Sequence, residues 1–416
     1  MENNLYIAVR FLLAKKRAML MSLSGIIFGI GLFVVTQAQT SGFEHFFIRT
    51  VLGTDGALRV QDRIQETIAS MKVVNPTTGA KSRVSISKER KYIEGVEFPN
   101  KIGNGLMQFE NVSGVSPVLR GNGQIDTNFR KQTIQIFGIN LDQHLAVSDL
   151  ASQIVFGSLS DFRANPKGVM VGSMLADRVN ITVGDPVILS QGGRSERFRV
   201  SAIFESGVEH VDKERVIVHL PEARVILAEP FSVTYLQANL LDTDRAVEDA
   251  DQMQDVLGHS VEPWQEREKI WLDVFHALRA SSALTVSTII LISGLGMFNT
   301  LAMIVMEKTK EIAILRSMGY TRQDIGQIFL MQGGLVLLAG SIFGCAFGVF
   351  GTWLVENIPL RIRGIFSTDH FVVYKSPWHY VAAVAAASVV VMIASWIPSR
   401  RAARLEPGDI IRGTAA

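Results

Sequence analysis

Four stretches of the chain carry no Asp, Glu, Lys or Arg: Ala18 to Phe43, Ala280 to Met306, Ile325 to Val355 and Ser376 to Ser399. Each exceeds the roughly 20 apolar residues that a helix needs to cross a bilayer, whereas buried helices of soluble proteins are shorter and keep a polar edge. The reading is four membrane crossings. Lys15, Lys16 and Arg17, followed by an apolar run and by Thr36, Gln37 and Ala38, imitate a secretory signal with a cleavage site. The run is longer than the roughly 7 to 15 residues of a signal's apolar region, and a structured-looking segment, Leu5 to Ala14, precedes the basic cluster. The first block is therefore expected to be an uncleaved anchor.

Basic residues near the ends of the crossings set the orientation. Arg10, Lys15, Lys16 and Arg17 precede the first block, Lys308, Lys310, Arg316 and Arg322 lie between the second and third, and Arg400, Arg401, Arg404 and Arg412 follow the fourth. These clusters are expected in the cytoplasm, with both termini inside. Arg361, Arg363 and Lys375 form a weaker group between the third and fourth crossings, and Glu44 to Arg279 falls outside. The balance of 41 Lys and Arg against 39 Asp and Glu, a net charge of +2, gives no footing for a nucleic-acid binder. Cys345 is the single cysteine, which excludes an internal disulfide and a cysteine-based zinc site.

The external stretch reads as a folded α+β domain. Strand-like runs recur at Ala57 to Val60, Gln132 to Gly138, Val187 to Leu189, Phe198 to Phe204, Val216 to Leu220 and Val233 to Ala238. Helical stretches fall at Met174 to Val179, Pro221 to Ala228, Arg245 to Leu257 and Glu266 to Leu278. Gln191 to Arg194 reads as a short hairpin turn, and Gly103 to Gly105 and Gly121 to Gly123 read as loops. The expected fold class is an α-helical membrane protein with four transmembrane helices and a large α+β extracytoplasmic domain between helices one and two. Its expected parts are an N-terminal amphipathic segment (1–17), crossings at 18–43, 280–306, 325–355 and 376–399, the external domain (44–279), a cytoplasmic turn (307–324), an external loop (356–375) and a tail (400–416).

The sequence lacks a G-x-x-x-x-G-K-[ST] loop, a G-x-G-x-x-G run, an H-E-x-x-H pair and a G-x-S-x-G elbow. Its eight histidines are scattered without paired ligand spacing. No catalytic residue and no metal ligand is assigned.

The segment Met306 to Asp324 carries the most information. Ile312, Leu315 and Met318 fall on one side at helical spacing, with Lys308, Glu311 and Arg316 as a charged surround, and Gly319 suits a left-handed helix stop. Thr321 and Asp324 form an [ST]-x-x-[DE] cap for the third crossing. Such a knob suits a groove on another protein, the favoured reading, and periodicity alone also allows an amphipathic turn resting on headgroups. In the crossings, Gly25 and Gly29 make a small-x-x-x-small pair, and Gly340, Gly344 and Gly348 repeat at four-residue spacing, which favours close helix contacts.

MEKTKEIAILRSMGYTRQDIGQIFLMQGG, the terminal PSRRAARLEPGDIIRG and the opening IAVRFLLAKKR resemble the permease subunits of FtsX-like ABC transporters, the group that includes LolC, LolE and MacB. GVMVGSMLADRVNITVGDPVIL, FRVSAIFESG and PWQEREKIWLDVFHALR match that family's pattern in the external region. The resemblance implies that Glu307 to Gly319, with Glu307, Lys308, Glu311, Ile312, Leu315, Arg316, Met318 and Gly319 as contact residues, form a coupling helix seated on a separate cytoplasmic ATPase dimer. ATP and Mg would be bound there, with no cofactor on this chain. It also implies pairing with a second permease, the same or different, in the inner membrane. The expected cargo is a lipoprotein, received in a cavity for which Phe33, Phe43, Phe46 and Phe47 are candidates, with a periplasmic chaperone or adaptor outside. LolC-type subunits separate the strands equivalent to Val187 to Ser190 and Phe198 to Phe204 by a proline-bearing hook that grips the chaperone. Gln191 to Arg197 contain no proline, which points toward LolE or toward a transporter without that chaperone. The alternatives are a MacB-like exporter or mechanotransmitter working with an adaptor, and a membrane-anchored enzyme.

Overall fold

A computed structural model describes residues 2–14, 16–74, 81–127, 130–362 and 368–405. Arg363, Arg412 and the terminal PGDIIRG lie outside the described residues. The chain divides into two compact units, one made of 1–45, 273–360 and 370–416, the other of 46–272 and 361–369.

The first unit is helical. Lys16–Asp55, Lys269–Glu307, Arg322–Glu356 and Pro377–Ala403 are each long and apolar enough to cross a membrane. Two shorter helices, Glu2–Ala14 and Thr309–Ser317, accompany them. The first and second long helices have 40 and 39 residues, so each is about 60 Å long against a hydrocarbon core of about 30 Å. Limits placed at the ends of the charge-free blocks, at 43 and 280, therefore fall inside helices.

Glycine lets the long helices approach. A Cβ on Gly340 would lie 2.6 Å from Ile26, one on Gly344 2.8 Å from Ile30 and one on Gly348 3.0 Å from Val34. Three glycines four residues apart thus accept three β-branched residues at the same spacing, fitting the third helix to the first. The adjoining face of the first helix meets the second, where a Cβ on Gly25 would lie 2.8 Å from Ser293 Oγ and one on Gly29 2.9 Å from Ile290. Ser22 and Thr300 hydroxyls hydrogen-bond at 2.9 Å across the same contact. The fourth helix closes on the third at Gly333 and Ser395 and on the second at Gly294 and Val390.

The second unit is α+β. Its main sheet has 11 strands among the described residues: β1 (Leu58–Val74), β2 (Lys81–Ile93), β4 (Val112–Asp126), β5 (Lys131–Ile139), β6 (Ile154–Gly157), β7 (Gly168–Gly172), β8 (Pro186–Gln191), β9 (Arg194–Phe204), β10 (Arg215–His219), β12 (Tyr235–Leu240) and β13 (His259–Pro263). The path runs β13-β1-β12-β4-β5-β10-β7-β9-β6, with β2 on β1 and β8 bridging β4 and β9. β3 (Val96–Glu97) and β11 (Ser232–Val233) form a separate ladder. Most pairs are antiparallel, but β5 with β10 and β7 with β9 are parallel, and the chain between each pair runs through other strands as well as helices.

Two glycine triplets differ from the sequence reading. Gly121 and Gly123 lie inside β4, because a Cβ would come within 2.5 Å of Leu227 at the first and 2.6 Å of Ile136 at the second. Gly103 and Gly105 lie in the helix Pro99–Leu106, facing Val115 and Leu257. The β8 to β9 turn is the short hairpin read from the sequence: Gln191 pairs with Arg194, and Gly192 and Gly193 both have positive φ, +56° and +83°, as a two-residue primed hairpin turn requires.

The core of this unit takes in residues of both long helices. Phe47 and Val51 are buried, and Ile48, Leu52 and Leu272 pack on the sheet core. Their helical spacing, beyond the charge-free block, explains why the first helix continues to Asp55.

Candidate functional site

Thr309–Ser317, between the second and third long helices, is bounded by local chemistry at both ends. At its start the Thr309 hydroxyl donates to the carbonyls of Val305 at 3.0 Å and Met306 at 2.7 Å, and the chain bends at Lys308. At its end Gly319 has φ +102°, with Gly319 N–H donating to Arg316 O and Tyr320 N–H to Leu315 O, both at 3.2 Å. This is the paired 5→2 and 6→1 closure of a Schellman stop, which needs a residue tolerant of positive φ. Two residues later Thr321 and Asp324 make a reciprocal capping box that starts the third long helix.

The side chains divide into two faces. Ile312 is 0% exposed within the helical core, Ala313 is buried, and Leu315 and Tyr320 are half-buried against that core. Ile314 is 58% exposed and Met318 73% exposed, and Lys310 and Glu311 are exposed beside them. Ile312 thus packs into the helical core and anchors the helix within this chain. Of the apolar stripe read from periodicity, Ile312 and Leu315 face inward and Met318 faces out. Ile314 belongs on the outer face and was missed. The signal available for it was its four-residue spacing to Met318 and from Lys310.

Lys308 is half-buried and pairs with Glu311, and its ammonium lies 5.7 Å from the centroid of the Phe11 ring. Glu307 ends the second long helix in an exposed position, and Arg316 is half-buried. The five glycines expected in helix packing occupy the contacts described above.

The candidate cavity phenylalanines are divided between the two units. Phe33 is buried in the helical core. Phe43 makes an edge contact with Phe371 at 6.3 Å and is half-buried, like Phe46. Phe46 and Phe47 belong to the other unit, where the Phe47 ring lies 5.7 Å from that of Trp271 on the wall of a cavity of about 420 Å³ shared with Val51, Val211 and His210.

The α+β unit also buries ionisable groups. Asp212 accepts from Ser206 N–H and Oγ, each at 2.8 Å, and burial pushes its carboxyl up to about 6 against those bonds. His144 meets Ser116 Oγ at 3.3 Å, and burial, reinforced by the Arg215 charge, lowers it to about 4. His219 bonds Phe162 O at 2.8 Å and His259 bonds Leu257 O at 2.9 Å, while in the helical unit His45 stacks on Tyr374 and His379 meets Ser41 Oγ at 3.2 Å.

Residues 19–256 match the family model for the MacB-like periplasmic core domain, and residues 283–407 that for the FtsX-like permease C-terminal. The lipoprotein-releasing system transmembrane protein LolC of Xylella fastidiosa (strain Temecula1) is 25% identical, with 98% of each chain covered. The macrolide export ATP-binding/permease protein MacB of Mannheimia succiniciproducens is 23% identical over 96% of this chain and 59% of its own. Among solved structures, the periplasmic region of MacB from Actinobacillus actinomycetemcomitans covers 53% of this chain and 94% of its own, at 11% identity and a TM-score of 0.35. The chain belongs to the FtsX-like permease family with a MacB-like periplasmic core domain, and is an ABC transporter permease of the LolC, LolE and MacB type.

Proposed function

We propose that this chain is the non-catalytic membrane subunit of a transporter that releases lipoproteins from the inner membrane, driven by a separate cytoplasmic ATPase dimer that binds ATP and Mg. The observation that carries this reading is the short helix Thr309–Ser317: locked at both ends, anchored by Ile312 and presenting Ile314, Met318 and Glu311 outward. An exposed apolar pair ringed by charge on a rigid helix suits a groove in a partner. In the proposed orientation both termini and this helix are cytoplasmic, the α+β unit is periplasmic, and a second permease completes the membrane part.

Lipoprotein as cargo is supported by the likeness to LolC along nearly the whole length. Extraction of acyl chains works against about 0.8 kcal/mol for each buried CH₂, so it requires an energy source outside the bilayer and an apolar receiving surface. Phe43, which keeps part of its surface exposed, is the residue proposed for that surface.

The test is reconstitution of the chain in proteoliposomes with the ATPase and any second permease that co-purify from native membranes, with ATP-dependent release of a triacylated lipoprotein as readout. Ile314→Glu is expected to lose the ATPase while inserting normally. Retention of the ATPase and of release by that variant refutes the docking reading.

The two-residue turn at Gly192 and Gly193 favours a second reading. A hairpin closed that tightly has no projecting hook for a chaperone, which suits a MacB-like mechanotransmitter acting on a periplasmic adaptor. Cross-linking from position 193 in intact cells distinguishes the two by whether an adaptor or a lipoprotein carrier is trapped.

A further inference from the structure

We infer that the N-terminal helix Glu2–Ala14 is a brace that fixes the coupling helix in its docking position, with Phe11 as the positioning residue. This rests on the reading of Thr309–Ser317 as the ATPase dock. A helix of 13 residues is marginal in water by itself, so its stability comes from what it touches. Its buried residues are Asn4, Ala8, Phe11 and Leu12, one stripe at helical spacing, and the last three share a core cluster with Ile312, Ile325 and Phe329.

The contacts fall on both flanks of the coupling helix. On the leading flank, the Phe11 ring faces the Lys308 ammonium at 5.7 Å, at the bend where the second long helix ends. Lys308 in turn pairs with Glu311 on the coupling helix itself. On the trailing flank, the buried Asn4 side chain lies near the Asp324 carboxylate, where, after the Thr321 hydrogen bonds, it helps hold that carboxyl below its ordinary range, and this is the group that closes the capping box with Thr321. Between them Phe11 packs on Phe329, ring centroids 6.4 Å apart. One element thus spans the segment that enters the coupling helix and the segment that leaves it. A rocking motion of that helix against the crossings must break or carry these contacts together.

The experiment uses the full chain in nanodiscs, with hydrogen exchange of the Ile312 to Arg316 amides as the first readout. Phe11→Ala is expected to speed their exchange at least tenfold, and Phe11→Trp, which keeps the aromatic face, to restore protection. Lys308→Met, which keeps the stem and removes the cation, is expected to give a smaller acceleration that Lys308→Arg reverses. These variants keep the measurement meaningful should Phe11→Ala fold poorly. The second readout is lipoprotein released per ATP hydrolysed in the reconstituted complex, expected to fall severalfold in Phe11→Ala with the ATPase still bound. Unchanged protection in Phe11→Ala and Lys308→Met, or an unchanged release ratio, overturns the brace. The exchange readout needs no ATPase, so it is separable from the docking reading, which fails instead if Ile314→Glu keeps its ATPase.

Discussion

Gly344 of the third long helix faces Ile30 of the first so closely that a Cβ on the glycine would sit 2.8 Å from the isoleucine Cβ and 3.3 Å from the Ile27 carbonyl oxygen. Neither neighbour can swing aside, since one is a branched carbon on a helix and the other is backbone. Gly344→Ala is expected to cost about 1–3 kcal/mol, the range for overpacking a close contact. Gly296, in the second helix, has nothing within 4 Å of its Cβ position, so Gly296→Ala is expected to be neutral or slightly stabilising through helix propensity. Thermal unfolding of both variants in the same detergent checks the contrast, and equal midpoints contradict the packing account.

The crossings were legible because the absence of charge is a property of composition, readable without neighbours. The limits of the α+β unit were less so. Strands such as Lys131–Ile139 announce themselves by β-branched runs, but Leu58–Val74 and Lys81–Ile93 carry interspersed Asp, Arg, Glu and Lys, and only Ala57 to Val60 stood out. Gly121 and Gly123 carry the usual mark of a loop, yet they stand in a strand because Leu227 and Ile136 press on them from elsewhere in the fold. At Thr309–Ser317, periodicity gave an apolar face without saying what it faces. Which of Ile312 and Ile314 is free is decided by the long helices, and the role of Phe11 depends on Lys308 and Phe329, hundreds of residues away in the chain.

Gly319 offers a local test. At φ +102° a residue with a Cβ is strained, so Gly319→Ala is expected to lose about 1–2 kcal/mol at the Schellman stop. Asn, which tolerates positive φ, should recover part of it. The checks are hydrogen exchange at the Tyr320 amide and ATPase retention, both expected to weaken in the order Gly, Asn, Ala.

Asp212 and His144 predict opposing pH effects on the α+β unit. Asp212 has its folded value raised from 3.8 to about 6, so the folded state holds the extra proton between those values and stability is lost as pH rises through them. His144 is lowered from 6.5 to about 4, so the unfolded state holds the extra proton and stability is lost as pH falls through 6.5 toward 4. Each contributes on the order of 3 kcal/mol, and in the wild type the two slopes offset one another between about pH 4 and 6. Asp212→Asn, which keeps the acceptor facing Ser206, is expected to become less stable as pH drops across this window. His144→Gln is expected to become more stable over the same drop. Denaturant midpoints followed by Trp264 fluorescence at pH 4.5 and 6.5 read the signs. Parallel slopes in the two variants would be incompatible with this assignment.

Asp55, the last residue of the first long helix, makes an ion pair with Arg215 of β10 at 3.2 Å and with Arg59 of β1 at 3.8 Å. The two guanidiniums are largely buried and lie over aromatic rings, Arg215 over Phe137 at 4.1 Å and Arg59 over Tyr235 at 4.4 Å. Arg267, shortly before the second long helix begins, donates to Gly56 O at 3.0 Å beside them. Removing one partner leaves a poorly hydrated charge, so Asp55→Asn and Arg215→Met are each expected to cost about 2–3 kcal/mol, less than a fully buried pair because both retain some water contact. The double variant removes the orphaned charge and is expected to cost less than the sum by about 1–3 kcal/mol. If the carboxylate ties the helix end to the sheet, the two single variants should also show faster hydrogen exchange at Val51 to Asp55, and the double variant should remain equally fast there, because stability returns without the tie. Additive stabilities, or exchange at those amides that recovers in the double variant, would mean that this network serves only to neutralise buried charge.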